Sequence, residues 1–281
     1  MLIKKKHSLI ILLFLLLTRF IYKENSHLTT SSYQIKDSQI PLSFNHFKII
    51  NVSDLHNKSF GKHNKHLLQT IEKLKPDIIV VTGDLINAYK PNIEHALVFI
   101  KQASRIAPLY FISGNHEARL TNSEGVIQDL RNCGAIILNN KQISLKKNQD
   151  TIHLIGLTDP AFYFAENPYS ILAYQLDYLL TNVKPTAYTL LLSHRPELMP
   201  IYSKRAINLV LSGHAHGGQF RLPLIGGIFA PNQGFFPKYT AGEYIEANTT
   251  MIVSRGLGPS SFPLRFNNKP DLVEIILNNK N

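Results

Sequence analysis

Phe47-Lys48-Ile49-Ile50-Asn51-Val52-Ser53-Asp54-Leu55-His56 is the stretch whose reading sets the fold. Its first six residues, rich in Phe, Ile and Val, read as a buried strand, and the Asp-x-His that follows falls in the turn beyond the strand's carboxyl end. The pattern recurs four times. Ile78–Val81 leads into Thr82-Gly83-Asp84-Leu85, and Leu109–Ile112 into Gly114-Asn115-His116-Glu117. Tyr188–Leu192 leads into Ser193-His194-Arg195-Pro196, and Leu209–Leu211 into Gly213-His214-Ala215-His216-Gly217-Gly218-Gln219. Ligand sites of open α/β sheets assemble at the carboxyl ends of strands. Asp54, His56, Asp84, Asn115, His116, His194, His214 and His216 are therefore expected to meet.

A single Asp or Asn after a strand is ordinary turn chemistry. Turns have no use for repeated His, however, and imidazole together with carboxylate suits Zn, Mn or Fe. The set is large enough for two metal ions. Between the strands, helical patterns run over His63–Leu74, Ile93–Arg105, Ser123–Cys133, Tyr169–Thr181 and Pro196–Ser203, and further strands are expected at Met251–Ser254 and Leu272–Leu277. The predicted architecture is an α/β two-sheet sandwich flanked by helices, with the site at one edge.

At 281 residues the chain supports one substantial catalytic domain, placed at 46–281. Ahead of it, Lys4-Lys5-Lys6 and the apolar run Leu9–Leu17 form a basic region and a hydrophobic region. No A-x-A-like cleavage site follows, so residues 1–23 are expected as an uncleaved signal anchor, a transmembrane segment, although the run is shorter than the roughly 20 residues a span needs. Lys4–Lys6 favour an amino terminus in the cytoplasm, while Arg19 and Lys23 oppose that orientation, so the side of the membrane stays open. Residues 24–45 read as a linker or edge segment. Cys133 is the only cysteine and is expected as a small buried residue rather than a nucleophile.

The net charge of +11 calls for an anionic partner. Basic residues are scattered rather than arranged in a stripe with aromatics, so a membrane surface is expected and nucleic acid is not. No protein partner is inferred. The apolar stretches Phe220–Phe229 and Gly234–Pro237 either form an exposed binding surface or fold into the core. Arg195 and Arg255 are either phosphate-binding forks or structural residues.

In their order and spacing, the five segments resemble the calcineurin-like metallophosphoesterases, whose pattern is D-x-H, G-D, G-N-H-[ED], a lone His and G-H-x-H. The match spans Asp54 to His216. Gly217-Gly218-Gln219, Val253–Gly258 and Pro263–Asp271 further resemble the membrane-associated bacterial branch of YkuE- and YaeI-like proteins, which is related to a UDP-2,3-diacylglucosamine pyrophosphatase of lipid A synthesis. The D-R-G of the protein phosphatase branch is absent, the chain continuing Leu85-Ile86-Asn87-Ala88, which speaks against a phosphoprotein substrate.

The resemblance implies that Asp54, His56 and His216 hold one divalent metal, that Asn115, His194 and His214 hold a second, and that Asp84 bridges them. It implies Mn, with Zn or Fe as alternatives. His116 is implied as the general acid, with Glu117 or another carboxylate setting its tautomer. The function implied is a two-metal phosphodiesterase or pyrophosphatase acting on an amphiphilic phosphate at the bacterial inner membrane, with UDP-2,3-diacylglucosamine as the leading substrate. The alternatives are an extracytoplasmic phosphoesterase on other lipid, envelope or nucleotide phosphates, and a non-enzymatic metal-dependent scaffold.

Overall fold

The computed structural model describes residues 2–260 and 262–280, with side chains from residue 11 onward. The elements run in the order α1 (Leu2–Ser26), β1 (Thr29–Asp37), β2 (Phe47–Val52), α2 (Lys65–Leu74), β3 (Ile78–Thr82), α3 (Ile93–Ala103), β4 (Leu109–Ile112), α4 (Asn115–Ala118), α5 (Ser123–Asn132) and β5 (Ala135–Ile137). They continue with β6 (Lys141–Lys147), β7 (Asp150–Gly156), α6 (Pro168–Leu180), β8 (Thr189–Leu192), α7 (Met199–Tyr202) and β9 (Leu209–Ser212). Four two-residue strands follow, β10 to β13 (Arg221–Leu222, Gly226–Gly227, Phe229–Ala230, Gly234–Phe235), and then β14 (Gly242–Glu246), β15 (Thr249–Val253) and β16 (Asp271–Asn279).

Two six-stranded sheets form the body, ordered β1-β16-β2-β3-β4-β5 and β14-β15-β9-β8-β7-β6. Strand periodicity explains why they stack. In β2 and β3, Ile49 and Val80 point into the space between the sheets, where they meet Leu190, Leu192, Leu209, Leu211 and Ile252. Their neighbours Ile50, Ile79 and Val81 face the other way, against Leu67 and Ile71 of α2, Phe99 and Ile100 of α3 and Leu130 of α5. Leu191 and Val210 likewise face outward onto Leu172 and Leu176 of α6 and Met199 and Tyr202 of α7. Strands covered on both faces read as continuous apolar runs rather than alternations, which is why they were legible. The result is the helix–sheet–sheet–helix sandwich expected from the sequence.

The transmembrane expectation for the amino-terminal segment finds no support in the structure. Among the described residues, no helix is long and apolar enough to cross a membrane. The reason is local: Leu9–Leu17 is nine residues, about 14 Å of helix at 1.5 Å per residue, against roughly 30 Å of hydrocarbon. Arg19 and Lys23 then follow within the same helix. Lys4–Lys6 and the side chains of Leu9 and Ile10 lie outside the described side chains. Residues 24–45, read as a linker or edge segment, contain an edge strand. Thr29–Asp37 pairs in parallel with Asp271–Asn279 over its whole length, as an edge strand whose Ser, Thr and Tyr side chains suit a half-exposed surface.

Candidate metal centre

Parallel pairing of β2 with β3 and β3 with β4, and of β8 with β9, brings five strand ends to one edge of the sandwich. Asp54 and His56 follow β2, Asp84 follows β3, Asn115 opens α4 after β4, His194 follows β8, and His214 and His216 follow β9. All seven are buried. Gly83 lets two of these turns touch: at φ 91° its missing side chain leaves room for Gly114 and His194, each 2.7 Å from where a Cβ would stand.

The donor atoms fall into linked groups. Ligand atoms of Asp54, His56 and His216 lie within 4.8 Å of one another, as do those of Asp84, His194 and His214, and those of His56, Asp84 and His116. Asp84 joins the groups, since its Oδ2 is 3.2 Å from His194 Nε2 and 3.6 Å from His56 Nε2. Two pairs of imidazole nitrogens also converge, His56 Nε2 with His216 Nε2 and His214 Nδ1 with His194 Nε2, each at 3.2 Å. Asn115 Oδ1 is buried without a hydrogen-bond partner among the described residues. Buried acceptors are normally satisfied, so converging nitrogens and an orphaned amide oxygen fit cation binding.

Electrostatics point the same way. Burial pushes Asp54 up to about 6 and His56 down to about 3, and holds His214 and His216 well below the usual imidazole value. Burial would lower His194 too, but the adjacent Asp84 carboxylate reverses this and lifts it to about 10. The cluster is thus a place that demands positive charge, while most of its imidazoles stay neutral, the form that binds metal.

A second layer aims these groups. His194 Nδ1 stands 2.7 Å from the Thr82 carbonyl, to which it donates, so that Nε2 faces Asp84; there it gives its proton to the carboxylate without a cation and would present its lone pair to one. His214 Nε2 is 2.9 Å from Asn232 Oδ1, which turns Nδ1 toward His194. Arg195 is structural rather than a phosphate fork, because Asp159 grips it through Nε and Nη2 while Nη1 reaches His214 and Asn232. Arg255 is similarly held by Asp271. Arg265, buried, reaches within 3.4 Å of His216 Nδ1, and Asn268 donates to the His216 carbonyl.

His116 sits at the mouth, half-buried, with its ring 4.4 Å from that of His56. Its Nδ1 accepts from the Ala88 backbone N–H at 3.0 Å, so the neutral ring carries its proton on Nε2. Glu117 does not set this tautomer. Its carboxylate instead accepts from the backbone N–H groups of Asp84, Ile86 and Gly114 and braces the turn around the bridge. The cleft is small, about 140 Å³, and is also lined by Tyr89, Arg119, Pro231, Asn232 and Ser260. Nothing in the sequence pattern singled out Asn232, Asp159, Tyr89 or Arg119. Arg265 lies in the quoted Pro263–Asp271 stretch, which carried no role.

Residues 47–218 match the model of the calcineurin-like phosphoesterases. The chain is 32% identical to the uncharacterized metallophosphoesterase YkuE of Bacillus subtilis over 268 residues, 92% of this chain and 89% of that protein. It is 26% identical to the phosphodiesterase YaeI of Escherichia coli over 248 residues, 86% of this chain and 84% of the relative. A dimetal phosphatase from Danio rerio superposes with a TM-score of 0.51 at 12% identity, covering 75% of this chain and 88% of its own, a likeness of fold alone.

Proposed function

The chain belongs to the calcineurin-like phosphoesterases and is a metal-dependent phosphoester hydrolase, and from this premise we propose that it is a two-metal phosphodiesterase or pyrophosphatase acting on an amphiphilic phosphate at a membrane. The observation that carries the reading is Asp84, one carboxylate placed between two groups of buried donors. We assign Asp54, His56 and His216 to one ion, Asn115, His194 and His214 to the other, and Asp84 to both, with Mn as the leading metal. A pair of divalent ions so held acidifies water and neutralises phosphoryl oxygens.

The chain's own residues supply the rest. His116, its Nε2 carrying the proton, protonates the departing oxygen, and the Ala88 N–H holds the ring in that tautomer. Arg119 is exposed at the cleft and, with the mouth-side ring of Tyr89, is free to meet the portion of substrate beyond the reacting phosphoryl group. A cleft of about 140 Å³ admits a phosphoryl group and little more. The remainder of an amphiphile must lie outside it, against the exposed apolar residues of 220–237. UDP-2,3-diacylglucosamine is the leading candidate. The test is a parallel assay of manganese-loaded protein on that compound, a soluble nucleotide diester and a phosphomonoester. Preference for the diacylated diphosphate supports the reading; equal turnover of the monoester overturns it.

A further inference from the structure

The apolar stretch after the last His pair does not return to the core. It forms two small hairpins, β10 with β11 and β12 with β13, and leaves Leu224, Ile225, Phe229, Phe235 and Phe236 exposed. Gly218 packs its backbone against Gly227, so the hairpins are seated on the turn that carries His216 rather than hanging free. They are also tied to two other segments. Phe220 bridges to Phe266 and its ring lies 5.3 Å from that of Phe262, while Gln219 donates to the carbonyls of Phe262 and Leu264. Phe20 of α1 packs 5.6 Å from Phe266. Phe262, Leu264 and Phe266 are exposed in turn, as are Ile11–Leu17 of α1. Apolar surface of this extent marks a binding face.

Charge identifies what the face binds. Residues 2–23, 217–241 and 255–269 carry five, two and three Lys or Arg and no Asp or Glu, in a chain whose net charge is +11. Arg255 and Lys269 are taken up by Asp271 and Glu24, and Arg265 is buried. Lys238 is shared with Glu246, 3.7 Å away, while Arg19 and Lys23 remain exposed beside the apolar residues. Leu and Phe bordered by cations, with no acidic residue among them, fit an anionic lipid surface. Pro231, Asn232 and Ser260, from the same segments, line the metal cleft.

We propose that the catalytic domain itself, through the two hairpins and Phe262–Phe266, docks on an anionic lipid surface, with the metal cleft opening beside the lipid headgroups. The contact deepens the reading of an amphiphilic substrate but is read out without turnover, so it stands or falls separately. The chain contains no tryptophan, and the substitution Phe235→Trp in the full-length protein therefore creates a single reporter on the face. Tyr174→Trp, on α6, gives an exposed control. On phosphatidylglycerol vesicles the F235W emission should shift to the blue and fall at least about twofold when the lipid chains are brominated, while that of Y174W should not. The full-length L224S/I225S protein should show at least about a fivefold smaller vesicle-bound fraction. Water-like F235W emission from vesicle-bound protein would mean that α1 alone makes the contact, and overturns the proposal. So does absence of vesicle binding, or a blue shift that rises with protein concentration without vesicles, which would assign the face to a second copy of the chain.

Discussion

Five of the proposed ligands stand in backbone conformations that L-residues avoid. Asp54, His56, Asp84, His214 and His216 have φ between 47° and 64°. Each such residue costs on the order of 1–3 kcal/mol and persists only where the surroundings impose it. Sharp left-handed turns swing each side chain inward immediately after its strand, so function is held at the expense of local stability. His56→Gly and His56→Ala should both lose metal-dependent turnover, yet in metal-free protein the glycine variant should be the more stable by about 1 kcal/mol. Urea unfolding checks this, and an alanine variant of equal or greater stability would show that no strain is stored at His56. Asp84→Ala should lose bound metal together with turnover. His116→Ala should keep the metal and lose about 10²–10⁴-fold in rate, as expected of a proton donor. Metal analysis separates the two roles. The identity and order of these residues were readable because His and Asp stand out after apolar runs. Their left-handed backbone was not, since glycine is the usual sign of such turns and here it is absent from these positions.

Among the elements, α1 departs most from what the sequence suggested. Its apolar middle is exposed, whereas its last turn is built into the domain. Glu24, buried, accepts the Asn268 N–H, and Asn25 both donates to the Arg265 carbonyl and accepts from the Arg265 N–H. Asn268 and Arg265 are the residues that back His216. Removing residues 2–23 should thus leave metal affinity and turnover of a soluble diester within about twofold of the full chain. Extending the deletion through Ser26 removes these bonds and should weaken metal binding by about tenfold, the scale typical of support behind a metal ligand. A metal titration of both truncations decides it, and equal affinities would show that the helix end supports nothing. The sequence could not reveal this coupling, because the Glu24 and Asn25 side chains meet backbone groups more than 200 positions away, and a backbone group carries no side-chain signature. The core strands, by contrast, were readable to within a residue or two.

For the molecule as a whole, the buried centre concentrates carboxylates and imidazoles where only a cation satisfies them together. Metal binding to the folded state alone should stabilise it by about 2.7 kcal/mol at a hundredfold excess over Kd. For a domain of this size that corresponds to a rise of about 5–10 °C in Tm. Calorimetry with manganese and with a chelator measures it, and an unchanged Tm would remove the metal centre from the account of this fold. The two-sheet body followed from the sequence because period and length alone identify doubly covered strands. The order of strands within each sheet did not, since β16 inserts between β1 and β2 through contacts that no local pattern encodes.

That insertion has a consequence for how the protein comes into being. A ribosome delivers α1, β1 and β2 well before β16, and until residues 271–279 emerge, β1 has no sheet neighbour and β2 shows an open edge. Asn268, which steadies His216, arrives only just before them. A growing chain therefore lacks the groups that back His216 until Arg265 and Asn268 have emerged, so that the metal site waits on the same late stretch that closes the first sheet.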